Sequence, residues 1–157
     1  MNAQVRTLKA DIAADLQAIA EIYAALNSYP DKLTDRDQII AVAYYLHNLY
    51  SAFESIFQRI VVVFENQVSD RAAWHAELLR RMTLDIEGIR PHLVGPATFD
   101  GLDELRRFRH LFRGAYRLRL DPARLALVRS KARALESVYQ ADMECFLDFL
   151  DSLQVAE

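Results

Sequence analysis

Apolar residues recur along most of the chain at three- and four-residue steps, the period of one helix face. The first run, Val5, Leu8, Ile12, Leu16, Ile19, Ile22 and Leu26, predicts a helix over about 3–27. Ser28-Tyr29-Pro30-Asp31 stops it, because the residue before a proline avoids helical dihedrals. A second helix starts near Asp35, with Gln38 three residues on in the register of a capping box, and runs to about Asn66. Ile39, Ala43, Leu46, Tyr50, Phe53, Phe57, Ile60 and Phe64 form one stripe along it, and Val42, Leu49, Ala52, Ile56 and Val63 a second. Two stripes call for packing on both sides, or for packing on one side and a partner subunit on the other. A third helix is expected over 70–89, capped by Ser69 or Asp70 and ended near Gly88 and Pro91. A fourth begins near Asp100. Asp121-Pro122 marks the start of a fifth, with Asp as N-cap and Pro at the first helical position. Its stripe is Leu125, Val128, Ala132, Leu135, Tyr139, Met143, Phe146, Leu150 and Leu153. No alternating pattern of a strand competes. The expected fold is all-α, an antiparallel bundle of about five helices.

Composition adds limits. The chain has 157 residues, 52% hydrophobic and 26% charged, with four Gly and four Pro. That length suits one domain, taken as 1–157, whose core needs neither disulfide nor metal as a staple. Cys145, the single cysteine, lies in Met143-Glu144-Cys145-Phe146-Leu147 and reads as a small buried hydrophobe. One thiol makes no internal disulfide and no thiolate zinc site, and the expected compartment is the reducing cytoplasm. Neither a signal peptide nor a membrane span is expected: the longest apolar run is Ile60-Val61-Val62-Val63-Phe64, against roughly 18 residues for a span.

Net charge is −3, but it is unevenly spread. Residues 101–133 carry ten Lys/Arg against three Asp/Glu, and the remainder nine against nineteen. The basic segment centres on Leu105-Arg106-Arg107-Phe108-Arg109-His110-Leu111-Phe112-Arg113-Gly114-Ala115-Tyr116-Arg117. On a helix, Leu105, Phe108, Phe112 and Ala115 share a packing face, while Arg109, Arg113, Tyr116 and Arg117 share another. Guanidinium forks suit phosphate oxygens, and a tyrosine can stack on a base. Residues 106–119 hold no acidic side chain, so local neutralisation along this helix is not expected. An Arg-rich helix face is more often simply solvated, so charge alone does not select nucleic-acid binding.

The segment resembles the motif of HEPN ribonucleases of the HepT-like branch: an arginine, a four-residue spacer that opens with a polar residue, a histidine, and a tyrosine two residues later. Arg109 matches the arginine, His110 the polar neighbour and Tyr116 the tyrosine, while Gly114 occupies the histidine position. Tyr44-Tyr45-Leu46-His47-Asn48-Leu49-Tyr50-Ser51-Ala52-Phe53-Glu54, Trp74-His75-Ala76-Glu77-Leu78-Leu79 and Asp85-Ile86-Glu87-Gly88-Ile89-Arg90-Pro91 are similar to the same branch. The likeness covers about 40–120. It implies a homodimer whose two motifs meet in a cleft and cleave RNA without metal or cofactor. Arg109 would steady the scissile phosphate, the residue at position 114 would move protons, and His110, Arg113 and Arg117 would help hold RNA. The implied partner is an MNT-type nucleotidyltransferase antitoxin that silences the toxin by attaching AMP to Tyr116.

Glycine has no side chain, and loss of a general acid or base lowers a rate by about 10²–10⁴-fold. Gly114 therefore implies impaired cleavage, whether it is natural or an inactivating replacement. His110 lies within a turn of the position but points elsewhere, and His47 reaches the cleft only if the second helix lines it. His75 and His92 have no sequence reason to lie in it, and all three, His47 included, read as ordinary surface or hydrogen-bonded histidines. The rival reading is a non-catalytic module that binds RNA, nucleotides or the antitoxin.

Overall fold

In the computed structural model, the described residues are 2–66, 73–114 and 120–155, and the side chains of 2, 111–114 and 155 are left aside. Six helices are found among them: α1 (Asn2–Asn27), α2 (Arg36–Glu65), α3 (Trp74–Met82), α4 (Pro96–Gly114), α5 (Pro122–Glu136) and α6 (Tyr139–Val155). The fold is an all-α helical bundle. Among the described residues the extended pairing is limited to an isolated bridge between Ile86 and Arg90.

The central helix is α2, which packs against α1, α3, α4 and α5. Both of its apolar stripes are used: Val42, Leu46, Leu49, Tyr50, Phe53, Ile56, Phe57 and Ile60 are all fully buried. Elements of this same chain cover it on more than one side. Asp35 caps it by accepting a hydrogen bond from the Asp37 backbone N–H at 3.3 Å, and Asn66 ends it in the left-handed region at φ 48°. Asparagine tolerates that conformation better than most residues with a side chain.

Three boundaries differ from the sequence expectation, the first being the start of the fourth helix, at Pro96 rather than near Asp100. The third helix ends at Met82, not near 89. Arg90, whose side chain is 0% exposed, donates to the carbonyls of Arg81, Leu84 and Pro91 and pairs with Glu65. The chain after Met82 must curl around this guanidinium, and Gly88 makes the turn at φ 74°. Its expected caps, Ser69 and Asp70, lie outside the described residues.

The expected fifth helix is two. The apolar stripe runs on through Leu135, Tyr139 and Met143, but the helix breaks at Ser137-Val138. Tyr23 of α1 donates its hydroxyl to the Ala132 carbonyl at 2.8 Å, and Ser137 Oγ donates to the Ala134 carbonyl at 2.8 Å. Side-chain donors thus engage carbonyls near the end of α5, a recognised setting for a bend or stop. Tyr139, at the start of α6, stacks on Tyr23 with centroids 5.9 Å apart. Cys145 is exposed, contrary to expectation. The buried residues of α6 are Tyr139, Met143, Phe146 and Leu150, and position 145 falls on the opposite face.

Buried arginines anchor the connections. Arg129, 4% exposed, donates to the carbonyls of Leu26, Tyr29 and Pro30, which belong to the end of α1 and the turn after it. Helices α4 and α5 meet closely at Gly101, where an added Cβ would lie 2.8 Å from Leu135 Cβ. The buried residues form one cluster drawn from all six helices. No described helix is long and apolar enough to cross a membrane.

Two predictions follow from these contacts. Arg90→Met leaves Glu65 with a single cationic partner, Arg81, in a dry site, and should lower the unfolding free energy by about 3–5 kcal/mol in urea titration. The Tyr23 and Tyr50 phenols are pushed well above their ordinary value, chiefly by burial. Their folded-state pKa exceeds the unfolded one, so their contribution to stability is intact below about pH 10 and is lost as pH rises beyond it. Ultraviolet titration should show these phenols ionising only as the fold opens.

Candidate functional site where α2, α3 and α4 meet

A carboxylate sits in the core stripe of α2. Glu54 follows Tyr50 by four residues and precedes Phe57 by three, so it faces inward with them and is only 4% exposed. A buried charge at such a place needs partners. Two neighbouring helices supply them. From α3, His75 Nδ1 lies 2.9 and 2.8 Å from the two Glu54 oxygens. From α4, Arg109 Nη1 lies 3.7 Å from Glu54 Oε1, an ionic contact longer than a hydrogen bond.

Arg109 is held at a second point. Its Nε donates to Ser51 Oγ at 3.1 Å, and Ser51 Oγ donates in turn to the His47 carbonyl one turn earlier. The hydroxyl proton is thereby directed at the backbone, which turns the oxygen lone pairs toward the guanidinium. The Arg109 side chain is 16% exposed, against 59% for Arg107. Tyr50 completes the cluster. Burial raises its pKa most, the Glu54 charge raises it further, and Arg106 and Arg109 act in the opposite sense. The phenol therefore stays protonated, a neutral neighbour to the charged pair. Among the described residues no group of three or more His, Cys, Asp or Glu could hold a metal ion.

This arrangement coincides with the sequence likeness. The HepT-like protein family matches residues 41–150, a span that takes in most of α2, all of α3 to α5 and most of α6. The chain belongs to the HepT-like family. No curated protein and no solved structure matches it. Family membership makes the chain a HEPN-type helical module.

The residues expected at the site of this HepT-like chain divide as follows. Arg109 is fixed against α2. His110 is exposed and lies beside it in sequence. Gly114 lies in α4, five residues after Arg109 and next to residues outside the described ones. The Arg113 side chain, Tyr116 and Arg117 lie outside the described residues. His47 lies on the helix that lines the site, one turn before Ser51.

Two expectations need correction. The basic helix is partly neutralised after all: Asp103, just ahead of the basic run, pairs with Arg106 at 2.9 Å and with Arg107 at 2.8 Å. These are the three- and four-residue spacings at which helix neighbours meet. His75, with no sequence reason to lie in the site, shares Glu54 with Arg109. Sequence reasoning also missed Glu54 and Ser51. The signal for Glu54 was available, since an acid in register with Tyr50 and Phe57 falls on a core face and must find a partner.

If Glu54 holds Arg109 in place, the two residues are energetically coupled. A double-mutant cycle of Glu54→Gln and Arg109→Met, read by urea unfolding, should give a coupling of about 0.5–3 kcal/mol. Additive effects would mean that Ser51 alone positions the arginine.

Proposed function

We propose that this chain is the toxin subunit of a HepT-like toxin–antitoxin pair, a metal-independent endoribonuclease in its histidine form and weakened by Gly114. The observation that carries the reading is the fixing of Arg109 by Ser51 and Glu54, in a chain whose family membership is shown. A guanidinium tethered at Nε and drawn at Nη1 is oriented before any ligand arrives. Preoriented donors stabilise charge that develops on phosphate oxygens without reorganising during the reaction. Arg113 and Arg117, four and eight residues after Arg109 in the sequence, add positive charge, and His110 contacts RNA beside Arg109.

The protein acts as a homodimer in the cytoplasm, with the motifs of two copies meeting in one cleft. Its partner is an MNT-type nucleotidyltransferase that silences it by transferring AMP to Tyr116. The added phosphate carries negative charge and competes with RNA for Arg109 and Arg113. Gly114 favours a second reading, a non-catalytic module that retains the basic cleft for RNA or nucleotide and binds the antitoxin.

The deciding experiment is RNA cleavage in the presence of chelator by Gly114→His and by the same variant with Arg109→Ala. Gly114→His should cut faster than the unsubstituted chain by about 10²–10⁴-fold, and the arginine change should abolish the gain. If neither variant cuts any RNA tested, the ribonuclease reading fails and the binding module stands.

A further inference from the structure

We infer that His75 is an acid–base residue of this chain's own cleavage site, doing with Glu54 the proton transfer that Gly114 cannot. The inference rests on the proposed ribonuclease reading and adds a residue that the motif does not contain.

Three observations converge. His75 Nδ1 lies within 2.9 Å of both oxygens of Glu54. Against an ionised carboxylate, which only accepts hydrogen bonds, Nδ1 is the donor, and Nε2 is the ring nitrogen left to exchange a proton with substrate. Glu54 is 5% exposed on its side chain while His75 is 37% exposed, so the dyad has a buried orienting end and a ring open to solvent. The same Glu54 Oε1 lies 3.7 Å from Arg109 Nη1. One buried oxygen atom thus ties together a general base and a phosphate-binding cation. A carboxylate that fixes the tautomer and angle of a catalytic imidazole is the logic of the hydrolase triads.

The step balances without metal or co-reactant. Nε2 of His75 takes the proton from a ribose 2′-hydroxyl. O2′ attacks the adjacent phosphorus, the P–O2′ bond forms and the P–O5′ bond breaks. The imidazolium returns its proton to O5′, leaving a 2′,3′-cyclic phosphate on one fragment and a 5′-hydroxyl on the other. Arg109 stabilises the charge on the non-bridging oxygens. Glu54 also acts on Tyr50 of α2, which feels Arg106 and Arg109 of α4 in the opposite sense. On the helix of His75, Glu77 is engaged by Arg80 and Arg81.

The test uses a labelled single-stranded RNA and its 2′-deoxy counterpart, in chelator, with the unsubstituted chain, His75→Asn and Gly114→His. The asparagine amide can donate to Glu54 in place of Nδ1 but has no basic nitrogen. The unsubstituted chain should cut RNA to cyclic phosphate ends and leave the deoxy strand intact, and His75→Asn should lower the rate by about 10²–10⁴-fold. The acidic limb of the unsubstituted chain's pH–rate profile should coincide with the His75 imidazole titration followed by NMR, a reading that needs no variant to fold. A limb displaced by about one pH unit or more, or His75→Asn cutting at the original rate, overturns the inference. If Gly114→His cuts while the unsubstituted chain is silent, His75 is excluded and the ribonuclease reading survives. If all are silent, both fall.

Discussion

Placing a carboxylate inside the most apolar helix of the bundle constrains everything around it. An ion removed from water costs several kcal/mol unless it is paired, and a single exposed partner does not offset that cost. Glu54 is satisfied only when α3 brings His75 and α4 brings Arg109 to the same spot. Ser51, less than one turn earlier on α2, then receives the arginine's Nε. The three helices are thus fixed to one another by polar contacts of definite direction, whereas apolar packing alone tolerates sliding. The guanidinium that the family motif singles out is held as a by-product of satisfying the glutamate.

The same device recurs away from the site. Arg90 and Arg129 are each buried and each gathers several backbone carbonyls. Both lie where a helix has ended and carbonyls lack their intrahelical partners. Arginine suits this work, since its fork carries five N–H donors and stays charged at all working pH values. Glycine and proline mark where the chain turns, but these arginines fix the path that it takes.

What could be read from the sequence followed from locality. The limits of α1 and α2 and the Asp121-Pro122 start depend on residues within a turn or two, and the apolar period reports them directly. The break at Ser137-Val138 depends on Tyr23, more than a hundred positions away, so the continuous stripe from Leu125 to Leu153 predicted one helix where there are two. The early end of α3 depends on Arg90 reaching back to carbonyls already passed. Arg109 was legible from its motif, but its holders were not. Ser51 and Glu54 come from another helix, and His75 from a third. The residues at 106 and 107 were misjudged because Asp103 lies just before the stretch considered.

The family likeness begins at residue 41, after the whole of α1. Yet Val5, Leu8, Ile12, Ile19 and Tyr23 of that helix are buried, and Arg129 from inside the matched span grips the carbonyls where α1 ends. The edge of the resemblance is therefore no folding boundary. A fragment trimmed to the matched span would bare the flank of α2 that α1 covers and strand a buried guanidinium without its acceptors. What the rest of the bundle asks of α1 is an apolar face and C-terminal carbonyl oxygens: it is a cover specified by pattern rather than by particular residues.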